Sequence, residues 1–249
     1  MKILVCISNV PDTTTKIKLN GDGSAVDLTG VQYVINPWDE LALTRAMELK
    51  EQSGGKIEKI TVITVGEKIV EPTLRKALAV GADDAVRIEG LPTDDYNVAI
   101  QIAAYVKENP YDLIMAGIES ADYNGSAVGG MLAEHLDVAS VSSVSNVSLD
   151  GDELRMKRTI DGGSETIKVN TPVVAVVQKG IAIDPRIPAM RGIMMARKKP
   201  LNVVSAQEAE KLSEFVSFEM PQPKPPVKML DAENVGELFK LLHEEAKVL

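Results

Sequence analysis

Apolar residues along this chain follow two rhythms. Short unbroken apolar runs occur at residues 2–8 (KILVCIS), 60–65 (ITVITV), 85–88, 113–116 (LIMA) and 173–177. Runs of this length read as strands buried on both faces, as in a parallel sheet. Between them apolar positions recur at helical spacing. Ala42, Leu43, Ala46, Met47 and Leu49 follow Asn36-Pro37 and the acidic pair Asp39-Glu40, and Ser53-Gly54-Gly55 stops that helix. Pro72 opens a helix over 74–80 that stops at Gly81. Thr93 or Asp94 caps a helix carrying Val98, Ile102 and Val106, which ends at Asn109-Pro110. A fourth helix is expected over 126–136, with Val128, Met131, Leu132 and His135 along one side. Strands alternating with helices predict right-handed crossovers and a doubly wound, mostly parallel α/β sheet of the Rossmann-like, nucleotide-binding kind.

After about Ala139 the rhythm changes. Residues 144–149, 154–160 and 166–169 are short alternating segments, with Asp150-Gly151-Asp152 and Asp161-Gly162-Gly163 between them as hairpin signals, so an antiparallel addition to the sheet is expected. Asn20-Gly21-Asp22-Gly23 is a tight-turn signal earlier in the chain. The expected division is an α/β domain over 1–183 and a docking loop with an extended C-terminal arm over 184–249. In the latter, Arg186, Pro188 and Met190 read as irregular loop, 205–212 as a helical turn or two, and 221–226 (PQPKPP) as a stiff extended spacer. Asp231 is expected to cap a final helix with Val235, Leu238, Phe239 and Leu242 on one face. That face needs a surface to cover it, on its own domain or on another subunit.

Composition narrows the function. With 249 residues, 45% of them hydrophobic, the chain can bury a large core, and a net charge of −9 argues against a nucleic-acid partner. No apolar run reaches the roughly 20 residues of a membrane span, and residues 1–5 enter a strand with no signal-peptide pattern. One cysteine, Cys6, fits a reducing compartment and a cytoplasmic location, and in an apolar strand it reads as a small core residue. Two histidines, His135 and His243, supply neither a zinc site nor a histidine-based triad, so no catalytic and no metal-binding residues are assigned.

In open parallel sheets ligands bind beyond the carboxyl ends of the strands, where the strand order reverses. Three loops are placed there: 8–12, 66–68 and 117–125. The third is Gly117-Ile-Glu-Ser-Ala-Asp-Tyr-Asn-Gly125, followed by Ser126. Its small residues and the helix behind it suit an anion such as phosphate, although a connection needing φ > 0 would also use glycine there. Asp12 and Asp122 either contact a ligand or cap turns. Arg197-Lys198-Lys199 is a basic run in an acidic protein, most simply a solvated surface.

At this point the residues resemble a family over nearly the whole chain. Val10-Pro11-Asp12-Thr13, the segment Ile35-Asn36-Pro37-Trp38-Asp39-Glu40-Leu41-Ala42, and Thr73-Leu74-Arg75-Lys76-Ala77-Leu78-Ala79-Val80-Gly81-Ala82-Asp83 are similar to segments of electron-transfer flavoprotein beta subunits. So are Arg158-Thr-Ile-Asp-Gly-Gly-Ser-Glu-Thr166, Asp184-Pro185-Arg186, Ile193-Met194 and Ala196-Arg197-Lys198-Lys199-Pro200.

The resemblance implies a heterodimer. An alpha subunit would hold most of a redox-active FAD, and this chain would bury a structural AMP and have no catalysis of its own. Electrons would pass from flavin dehydrogenases, such as acyl-CoA dehydrogenases, to a quinone oxidoreductase. It places the AMP site on Cys6, Asn36, Val65, Asp122, Gly125, Ser126, Ala127 and Val128, and dehydrogenase docking on about 186–195, including Arg186, Met190 and Ile193. Met190 stands where the family has leucine, Ser126-Ala127-Val128 where it has N-Q-T, Ser8-Asn9 where it has K-R, and Thr159 where it has glutamate. Two alternatives remain: a second FAD in the beta site, as in electron-bifurcating members, and a stand-alone adenine-nucleotide-binding module.

Overall fold

A computed structural model describes every residue except Asp152, so that part of the expected Asp150-Gly151-Asp152 hairpin signal lies outside the described residues. In chain order the elements are β1 (Lys2–Cys6), β2 (Asn9–Pro11), β3 (Tyr33–Ile35), α1 (Pro37–Gln52), β4 (Lys59–Val65), α2 (Glu71–Val80), β5 (Asp84–Glu89), α3 (Asp95–Glu108), β6 (Leu113–Gly117) and α4 (Val128–Leu136). They continue with β7 (Ala139–Asp150), β8 (Glu153–Ile160), β9 (Gly163–Val169), β10 (Val173–Val177), α5 (Met190–Ala196), β11 (Leu201–Ser205) and α6 (Val235–Lys240). The chain divides into two compact units. One comprises Met1–Lys18 with Asp27–Val216, the other Leu19–Val26 with Ser217–Leu249.

The first unit is the α/β fold that the periodicity predicts. Its nine-stranded sheet runs β11-β5-β4-β1-β6-β10-β7-β8-β9. The first seven strands in that order are parallel, and β8 and β9 add to the β7 edge antiparallel. The chain leaves β1 toward β4 and β5, then returns to the other side for β6, so the order reverses between β1 and β6.

The run over β1 is apolar throughout because both faces are covered. Ile3 and Val5 join Leu43, Ala46, Leu74 and Leu78 of α1 and α2 on one side. Leu4 and Cys6 join Ile102 and Leu132 of α3 and α4 on the other. At about 1.5–3 kcal/mol for each large side chain fully buried, these two layers dominate the stability of the fold.

Four local expectations change in this unit. Strand β7 is 12 residues long rather than starting at 144. Its first part pairs with β10 and its second with β8, with register shifts on both ladders, and Ser143 has a left-handed φ of 56°. The irregularity spaces the buried residues Val141, Val144 and Val147 by three, hiding the alternation of two that marks a strand. Helix α4 begins at Val128 rather than Ser126, because Ser126 itself adopts a φ of 55°. Met190 is the first residue of α5 rather than part of an irregular loop. Residues 205–212 do not form the expected helical turn: Ser205 ends β11, which pairs parallel with β5, and 206–212 are irregular.

In the second unit, Leu19 and Val26 bridge across the turn at 20–23, and Phe218 N donates to Gly23 O at 2.9 Å. Helix α6 is capped by Asn234, whose side chain accepts from Glu237 N, and not by Asp231. Asp231 instead forms a turn one step earlier, accepting from Glu233 N. Val235, Leu238 and Phe239 are exposed.

Candidate functional site

The carboxyl ends of β1, β4 and β6 bring Cys6, Val65 and Gly117 to the reversal point, and the first turn of α1 is set against them. Two side chains of that turn do the fixing. Asn36, 1% exposed, donates through Nδ2 to Glu119 O at 2.8 Å and accepts at Oδ1 from Ala121 N at 3.1 Å. Asp39, 2% exposed, accepts from Ser8 N at 2.7 Å and Gly117 N at 2.9 Å. One carboxylate thus ties together the segments that leave β1 and β6. Gly117 has no room for a side chain: a Cβ there would collide with Asp39 Oδ1 and lie 2.7 Å from Trp38 Cβ.

Burial pushes the Asp39 carboxyl up to about 6, against the Ser8 and Gly117 bonds that pull it down. Burial, and then the neighbouring Asp39 carboxylate, raise the Cys6 thiol, so Cys6 is an inert part of the floor.

Beyond Gly117 the loop arches out to exposed residues 121–126. Asn124 and Ser126 adopt left-handed φ values of 52° and 55°. Among the described residues, none accepts a hydrogen bond from the backbone N–H groups of Gly125, Ser126, Ala127 or Val128. These four successive amides lead into α4, whose first turn adds the positive end of the helix dipole. A Cβ on Gly125 would strike the carboxylate of Asp95 at the start of α3. Burial, then Asp94 and Asp122, raise the Asp95 carboxyl. Asp122 Oδ1 accepts from Tyr123 N at 2.9 Å, and Ser126 Oγ lies 3.4 Å from Glu119 Oε2. Loop 117–128 has no lysine or arginine, so within it an anion would be met by backbone amides and the Ser126 hydroxyl.

Cys6, Asn36, Val65, Gly125, Ser126, Ala127 and Val128 therefore lie around one end of the sheet, and Asp122 on the rim. Asp12 is engaged elsewhere, in a turn that accepts from Thr14 N and Oγ1. Asp39 was legible only as a helix-start acid; its link to β6 is a tertiary contact with no local signal.

Arg186 lies against α1, and α5, which carries Met190 and Ile193, packs against α2. Arg186 N donates to Thr44 Oγ1 at 2.9 Å, and its guanidinium meets Glu51 at 2.7 Å. Met190 and Ile193 are 74% and 45% exposed on α5. Lys199 donates to the carbonyls of Leu78, Gly81 and Ala82 at the end of α2, while Arg75 reaches back to Ala196 O and Lys199 O. Lys199 is thus a helix clamp within the basic run, and only Arg197 and Lys198 are exposed.

Residues 24–209 match the model of the electron transfer flavoprotein domain. The chain belongs to the electron transfer flavoprotein beta-subunit family. It is 33% identical to electron transfer flavoprotein subunit beta of Bacillus subtilis, over 100% of both chains. The corresponding subunit of Syntrophomonas wolfei is 35% identical, over 90% of this chain and 87% of that one. The human subunit is 29% identical, over 94% and 95%. The family is one of electron-transfer subunits rather than enzymes by name. No helix among the described residues is long and apolar enough to cross a membrane, and no group of three or more His, Cys, Asp or Glu among them is placed to hold a metal.

Proposed function

We propose that this chain is the beta subunit of a heterodimeric electron-transfer flavoprotein and holds AMP structurally at the reversal point of its sheet. The observation that carries the reading is the run of four unengaged amides at 125–128, at the start of α4 and beside the end of β6. This cradle fits a phosphate without cationic side chains. Cys6, Val65 and Val128 supply apolar surface beside it. Asn36 sets the loop and does not need to touch the ligand, since both ends of its amide already hold backbone groups at 119 and 121.

FAD, held mainly by an alpha subunit, supplies the electron-carrying chemistry when bound. This chain's part is to present a rigid partner surface. Ile187, Met190, Ile193 and Met194 are exposed apolar side chains on and beside a helix held at its C-terminal end by Arg75 and preceded by Arg186 fastened to Thr44, which suits docking to a flavin dehydrogenase such as an acyl-CoA dehydrogenase. Electrons would then pass to a quinone oxidoreductase.

The test is to coexpress the chain with its alpha-type partner, purify the complex, and identify the released nucleotides by chromatography and visible spectrum. One FAD and one AMP per heterodimer is the expected result. Two FAD would replace the ordinary carrier by a bifurcating one, and nucleotide on the lone chain with no complex would point to a stand-alone module.

A further inference from the structure

Residues 206–212 follow β11 without regular structure, yet the chain from 207 to 215 is fastened at three places. Gln101 on α3, 3% exposed, donates from Nε2 to Gln207 O at 2.7 Å and accepts at Oε1 from Gln207 N at 2.8 Å. Asp94 caps α3 by accepting from Asn97 N with Oδ1, and its Oδ2 accepts from Leu212 N at 2.8 Å and Ser213 N at 2.9 Å. The ring of Phe215 stacks on that of Tyr123, with centroids 4.7 Å apart and planes 26° from parallel. Tyr123 belongs to the loop that carries the amide cradle, two residues before Gly125.

The loop therefore has two anchors. Asn36 holds its base at residues 119 and 121. Its tip carries two non-glycine residues, Asn124 and Ser126, in left-handed conformations. Such conformations persist only where surrounding contacts impose them. Phe215 supplies such a contact at the tip, and the first turn of α3 meets both parts: Asp94 grips the 212–213 backbone, and the neighbouring Asp95 stands against Gly125.

We propose that residues 207–215 are a strap that sets the phosphate-binding loop, with Phe215 as a positioning residue that pins Tyr123. This rests on the nucleotide reading given above. The strap meets the loop through the Tyr123 side chain, so it acts on how long the cradle stays formed. Release of bound nucleotide should respond to its loss, and capture should change little.

The test uses the full chain copurified with its alpha-type partner, loaded with the fluorescent analogue mant-AMP and chased with excess AMP. Loss of a stacked aromatic pair should speed release about 2- to 10-fold in Phe215→Ala. Phe215→Tyr should restore the wild-type rate, and thermal melting should stay unchanged, because the ring is 60% exposed. Tyr123→Ala should reproduce the effect, and the double substitution should be no faster than either single one. Release at the wild-type rate in Phe215→Ala, or additive effects in the double variant, would overturn the strap while leaving nucleotide binding intact. A wild-type complex holding no displaceable mant-AMP would remove the nucleotide reading and the strap with it.

Discussion

Replacing Asp39 with asparagine isolates the energetics of the tie between β1 and β6. The carboxyl's ordinary value is 3.8 and burial pushes it to about 6 in the folded chain. Between those values the unfolded chain has released its proton and the folded chain keeps it. The raised value therefore contributes stability that is fully present below about pH 4 and lost as pH rises through about 6. At 1.36 kcal/mol per pH unit, that contribution is on the order of 3 kcal/mol. An asparagine does not titrate, and it offers one acceptor where Ser8 N and Gly117 N both need one. Leaving one buried N–H unpaired costs about 1–3 kcal/mol. At pH 7.5 that loss and the removal of the buried charge should nearly cancel. At pH 4.5, where the wild-type carboxyl is mostly protonated, the asparagine variant should be less stable by about 1–3 kcal/mol. Urea unfolding of both proteins from pH 4 to 8 measures the difference, and other titrating groups drop out of it. Parallel stability curves across that range would show that Asp39 does not titrate as its burial requires.

Gly117→Ala should lower stability by about 1–3 kcal/mol and weaken AMP binding, because its Cβ would be driven into Asp39 and Trp38; melting and calorimetry check both. Ser126→Ala should change AMP affinity by less than about 3-fold in the same titration, since the cradle is made of backbone amides. Lys199→Met should cost about 1–3 kcal/mol in denaturant unfolding, because three carbonyls at the end of α2 lose their donor. Deleting residues 221–249 should reduce copurification with the alpha-type partner, since it removes the exposed apolar residues Val235, Leu238 and Phe239.

The alternation of apolar runs with helical spacing was sufficient to read the parallel sheet, because burial on both faces leaves a strong one-dimensional signature. It also marked loop 117–125 as a candidate, because small residues stand there between a buried strand and a helix, where a plain turn would use glycine too. Strand β11 escaped notice: Leu201–Ser205 is a short edge strand with no alternation, and its partner β5 lies more than 100 residues earlier in the chain. Lys199 looked like one of three equivalent cations until the end of α2 was placed beside it. The strap was invisible for the same reason, because Asp94 reads as a helix cap and gives no sign that its second oxygen holds residues 212 and 213.

The chain contains a single tryptophan, Trp38, and its Cβ stands beside Gly117 at the site where β1 and β6 diverge. Its indole emission therefore originates at the reversal point. A change in that emission on adding nucleotide to this chain reports on that place without a label, and so gives each loop variant described above an optical readout already built into the wild-type sequence.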